Sequence, residues 1–207
     1  MADRQMKPDV AFRKYIRPFV KKTKWIEDSS DISSIIKLNK RELFALIVLA
    51  YSKGEDWVVG YDSDDYEPND GYITNAKEKI QIEHKVIAQM DKREVLDAIL
   101  GTYKKYAARG KGYGQNRVLV IQPNKASKHG GLIKISSLKD AIKGESPFDK
   151  VLTLAPVTFK GGGNKIAVMH IIEHYPREGK FESGKWLTQV DLDFKKGTAK
   201  IPHRGII

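Results

Sequence analysis

The sequence predicts a mixed α/β domain built on one central sheet flanked by helices. Three observations carry this. Several segments read as strands, "KIQIEHKVIA" (79–88), "RVLVIQP" (117–123) and "DKVLTLAPVTF" (149–159) among them. Between the first two, Val95, Ile99, Tyr103 and Ala107 recur at helical spacing. Of 207 residues, 41% are hydrophobic and 30% charged, enough apolar matter for a core and too much for a disordered chain. The length suits a single domain over 1–207.

The elements are expected in this order. The first 30 residues are basic and aromatic ("FRKYIRPFVKKTKW"), a helical arm interrupted at Pro18. Asn39 as N-cap and Glu42 three residues on form a capping box that opens a helix running to Lys53, with Gly54 as its stop. Its run "LFALIVLAY" is too short to span a bilayer and reads as a buried helix. "DWVVGYD" is a strand, "DGYIT" a second after a Pro-Asn turn, and "KIQIEHKVIA" a third. Asp91 and Glu94 form another capping signature, opening a helix that stops before "GKGYG". "RVLVIQP" is nearly continuously apolar, as in a strand buried on both faces. "SSLKDAIKG" (136–144) reads as a short helix, and "DKVLTLAPVTF" and "KIAVMHIIEHY" as later strands.

Charge narrows the partner. The net charge is +11 and the pI near 9.6, which points to a polyanion: nucleic acid first, an anionic membrane surface second. The charge is unevenly spread. Residues 1–26 hold eight Lys/Arg against two acids and residues 92–143 twelve against three, whereas residues 54–70 hold seven acids and no Lys or Arg. With no cysteine, disulfides, thiolate-bound metals and thiol nucleophiles are excluded. The opening "MADRQMKPDV" has no apolar leader segment, so a cytoplasmic protein is expected, with no membrane partner.

Strand alternation puts Gln81, Glu83 and Lys85 on one face of "KIQIEHKVI", and Ile80, Ile82 and Val86 on the other. A hairpin over 71–82 would let Asp70 approach Glu83. Two carboxylates suit a hard divalent cation, and a nearby ammonium can orient a water or stabilise a developing phosphorane charge. Asp70 followed by Glu83-His84-Lys85 resembles the PD-(D/E)xK motif of the restriction-endonuclease-like nuclease superfamily, over roughly residues 38–122. The family's proline directly precedes its aspartate, whereas here Asn69 separates Pro68 from Asp70, leaving Asp65 as a rival ligand.

The resemblance implies a restriction-endonuclease-like core over roughly 38–122; the basic N-terminal helical arm (1–37) and the C-terminal elaboration with its strands (123–207) lie outside it. It implies that Asp70 and Glu83 ligate Mg²⁺, with Mn²⁺ able to substitute, and that Lys85 orients the attacking water. The backbone carbonyl of His84 would be a further ligand, Glu42 an acid near these ligands or at a second metal, and Gln81 a polar neighbour. Lys104, Lys105, Arg109 and Lys111 on and after the helix are candidate nucleic-acid contacts. So are Tyr113, Gln115, Asn116 and Arg117 beside the Gly-rich turn. The expected activity is Mg²⁺-dependent endonucleolytic cleavage of double-stranded DNA in restriction, defence or DNA processing. A homodimer is expected if both strands are cut, since one motif supplies one active site. Two alternatives are a nucleic-acid-binding protein on this fold without activity and a nuclease toxin domain acting on structural RNA. "HIIEH" (170–174) spells an inverted zinc-peptidase pattern, but its β-branched setting and Pro176 mark it as a strand.

Overall fold

The computed structural model describes residues 5–17, 38–60, 71–89, 92–108, 116–125, 147–160, 166–176, 186–194 and 196–206. Among these residues eight strands form one sheet in chain order: β1 (Val58–Gly60), β2 (Tyr72–Thr74), β3 (Lys79–Gln89), β4 (Arg117–Lys125), β5 (Lys150–Lys160), β6 (Ile166–Pro176), β7 (Trp186–Asp193) and β8 (Thr198–Ile206). β3, β4 and β5 are parallel, and every other neighbouring pair is antiparallel. The helices are α1 (Pro8–Ala11), which runs into a π-helix at Phe12–Ile16, α2 (Leu38–Lys53) and α3 (Lys92–Ala107). The architecture is α/β, as the sequence predicts, and the helix, three antiparallel strands, helix and parallel strand of 38–125 follow the expected order.

Two layers cover the sheet. α2 is apolar all round, with Leu43 to Ala50 each at most 5% exposed, so it must be enclosed rather than laid on a surface. The sheet curls about it. α2 touches β1, β2 and β3 on one side and β7 and β8 on the other. Two bonds join it to the far strands: Tyr51 Oη donates to Gly197 O at 3.2 Å, and the Arg204 guanidinium donates to Ser52 O. Register shifts in β5–β6 and β7–β8 bend the strands in this half, which helps the sheet curl. Val59, Ile73, Ile82, Val118, Val120, Leu154 and Val190 line the α2 face. On the opposite face α3 packs Val95, Ile99 and Tyr106 against Leu119, Ile121, Val151 and Phe148. β4 is therefore buried on both sides, as its composition predicts.

Some boundaries differ from expectation. α2 is already helical at Leu38, which puts Asn39 inside the first turn rather than at its cap. The N-terminal segment is not a free arm: Ala11, Phe12 and Ile16 are buried in the α2 core, and Phe12 packs on Phe194 at 5.2 Å between ring centroids. Met6 also exchanges two 2.8 Å backbone bonds with Val59, closing the outer edge of β1. At Gly60 the ring of Tyr72, its cross-strand partner, lies where a Cβ would stand, which explains glycine there. The expected helix at 136–144 lies outside the described residues. β7 and β8, which the sequence reading did not place individually, complete the curl.

Candidate functional site

β3 carries the motif, and its alternation is realised. Ile82 enters the α2-side core, while Glu83 and Lys85 project to the α3 side. The third strand is long because β-branched and apolar residues satisfy both layers, and the charged pair falls where α3 crosses it. Glu83 is 2% exposed, and a buried carboxylate needs partners. It has three. Oε1 faces Lys85 Nζ at 3.1 Å and Lys105 Nζ at 3.7 Å, and Oε2 accepts the Tyr106 hydroxyl. Arg117, itself buried, flanks that hydroxyl. Burial foremost, then the bond to Glu83, pushes the Tyr106 phenol well above its ordinary pKa and holds it neutral. The two lysine side chains remain 37% and 43% exposed, so the cluster meets solvent through its ammonium groups.

The backbone around Glu83 is also arranged. Gln81 N–H donates to Asn116 O on the β4 side, and Ile82 N–H donates to Gly71 O on the β2 side. Backbone groups alternate along a strand, so the His84 carbonyl points to the same side as Gly71. Asp70 is outside the described residues. The His84 side chain takes the other face. Its Nε2 is 2.7 Å from Gln122 Oε1, and burial draws its pKa down to about 4, so the ring is neutral at pH 7.

Several expected site residues lie elsewhere. Glu42 sits on α2, the helix covering the face opposite the Glu83 carboxylate. Gln81 is half-buried on the Glu83 face, in register with Tyr72 and Arg117. Arg117 is buried, so it is no surface contact for nucleic acid; Lys105 is drawn to Glu83, while Lys104 and Asn116 are exposed. Arg109, Lys111, Tyr113 and Gln115 lie outside the described residues. The sequence reading missed Tyr106, although the inward stripe Val95, Ile99, Thr102, Tyr106 has helical spacing; the expected stripe through Tyr103 and Ala107 was rotated by about one position. His170 lies on β6, half-buried, with its pKa lowered by burial, in a strand rather than a helical zinc motif.

Hard oxygen donors suit Mg²⁺, and the Glu83 carboxylate and His84 carbonyl are of that kind. Among the described residues no three His, Cys, Asp or Glu side chains cluster to hold a metal, so Asp70 would have to complete the set. No helix among them is long and apolar enough to cross a membrane. The chain matches no protein-family model, no curated protein and no solved structure.

Proposed function

We propose that the protein is a Mg²⁺-dependent nuclease acting on double-stranded DNA, its core of the restriction-endonuclease-like kind. The observation that supports this best is the pairing of Glu83 and Lys85 on one face of β3, one residue beyond the bond that ties Ile82 to Gly71. Asp70, Glu83 and the His84 carbonyl would hold the ion, which supplies Lewis acidity at a phosphodiester and acidifies bound water. Lys85 orients that water and, with Lys105, offsets the charge that develops on the phosphoryl oxygens. Tyr106 fixes the carboxylate rotamer from behind. Lys104 and the exposed end of α3 hold the phosphate backbone of the substrate.

A second reading has its own observation. The Glu83 charge is already balanced by two ammonium groups and its second oxygen bonded by a neutral phenol, as a purely structural cluster would be, which suits a nucleic-acid-binding protein without activity. A cleavage assay decides, with plasmid DNA, single strands and tRNA, each with Mg²⁺ or EDTA. Plasmid nicking or linearisation that needs Mg²⁺ and is lost in Asp70→Asn, Glu83→Gln and Lys85→Met supports the nuclease. Cleavage of tRNA alone selects the RNA-directed alternative. Cleavage unchanged in Glu83→Gln would sink the metal-site assignment, and DNA binding without cleavage of any substrate selects the binding protein.

A further inference from the structure

The opposite face of the sheet carries a feature that the nuclease reading does not use. A cavity of about 540 Å³ opens beside the C-terminal end of α2. Its floor is apolar: Leu49 of α2, Ile82 of β3, Val118 of β4, Leu152 of β5 and Ile171 of β6. Its mouth is charged, with Lys53, Lys150 and Arg204 among the cations. Ile82 is the immediate neighbour of Glu83, but strand alternation sends the two side chains to opposite faces, so this cavity is separate from the Glu83 cluster.

We propose that this cavity binds a small amphipathic anion, an apolar body with a carboxylate or phosphate head, the body on the floor and the head at Lys53. The volume lies in the range of sites that bury a small ligand. Of the cations, Lys150 pairs with Glu173 at 3.6 Å, and the Arg204 guanidinium is occupied by Ser52 O. Lys53 is exposed at the mouth, its ammonium 5.4 Å from the centroid of the Trp57 ring. Partial desolvation first, then Lys150, lowers its pKa, and Arg204 adds to this, outweighing Glu78 and Glu173. An anion would relieve that crowding, while the acids at the rim, Glu78, Asp149 and Glu173, select against a head that cannot reach Lys53.

The probe is 1-anilinonaphthalene-8-sulfonate, compared with its uncharged analogue N-phenyl-1-naphthylamine, in fluorescence titrations at neutral pH on the full chain. The expected result is saturable one-to-one binding of the sulfonate, weakened about tenfold by Lys53→Met with the neutral analogue changed less than twofold. Thr188→Trp, which fills the cavity from β7, should abolish binding of both. Glu83→Gln should bind like the unaltered protein, so failure of the nuclease reading leaves this one standing. Displacement of the sulfonate by decanoate or by decyl phosphate identifies the head group. The proposal is overturned if binding is not saturable, if neither anion displaces the probe, or if Lys53→Met or Thr188→Trp, still melting cooperatively, binds unchanged.

Discussion

Replacing Tyr106 by Phe removes the hydroxyl that ties α3 to Glu83 on β3 and that also meets Arg117. The ring stays, and with it the packing on Phe148 at 4.6 Å between centroids, so only the hydroxyl is lost. Tyr106 is 1% exposed and Glu83 2%, so water does not readily replace the missing donor. A hydrogen bond to a charged group contributes about 1.5–3 kcal/mol. Glu83 keeps its two ammonium partners on Oε1, which places the loss toward the lower end, about 1.5–2 kcal/mol. For a chain of this size that is a fall in Tm of roughly 3–8 °C. Urea unfolding followed by tryptophan fluorescence, to which buried Trp57 contributes, reads it directly. A double-mutant cycle with Glu83→Gln should return a coupling of about 1 kcal/mol or more, since the two residues are in contact. A loss under about 0.5 kcal/mol, or additive single effects, would refute the argument that the hydroxyl is a buried partner of Glu83.

Other outcomes follow from the same geometry. If Glu83 helps hold a cation, millimolar Mg²⁺ should stabilise the fold by about 2.7 kcal/mol at a hundredfold excess over Kd; a Tm raised equally in Glu83→Gln would place the ion elsewhere. Half-buried neutral His84, with its pKa near 4 against an ordinary 6.5, resists protonation in the folded state. Its contribution is therefore fully present above pH 6.5 and is lost as pH falls toward 4, about 2 kcal/mol between pH 7 and 5. Urea unfolding at the two pH values should show that loss shrinking in His84→Gln, and an identical pH dependence in both proteins would contradict it. DNA binding should weaken steeply with salt, the log–log slope near −0.9 for each phosphate neutralised, as an electrophoretic mobility shift or fluorescence titration would show; a flat profile would remove the basic surface from recognition.

Much of this was legible in the chain. Period-two alternation in "KIQIEHKVI" separates Ile82 from Glu83 whatever surrounds them, because successive side chains in a strand must point to opposite faces. The run Leu43–Ala50 has no polar face, so its helix had to be enclosed, and "RVLVIQP" had to be covered on both sides. The alternation of Val190, Leu192 and Phe194 was available too, and would have located β7. What encloses α2 was not legible. The curl brings β7 and β8 back to the helix across more than a hundred residues of chain, and no local pattern encodes that closure.

The identity of the Glu83 partners belongs to the tertiary structure as well. Lys85 is on the same strand and follows from spacing alone, but Lys105 and Tyr106 arrive on a helix whose rotation is set by how Val95, Ile99 and Tyr106 fill the layer over β4. A shift of one residue in that stripe would present Tyr103 and Ala107 instead. Arg117 looked like a surface charge because arginine usually is one; only the packed layer makes it buried. Sequence alone therefore determined which residues share a face of a strand, since that depends on backbone geometry within a few residues. The docking of α3 and the curl of the sheet decided which charges meet, since these depend on side-chain volumes contributed from distant parts of the chain.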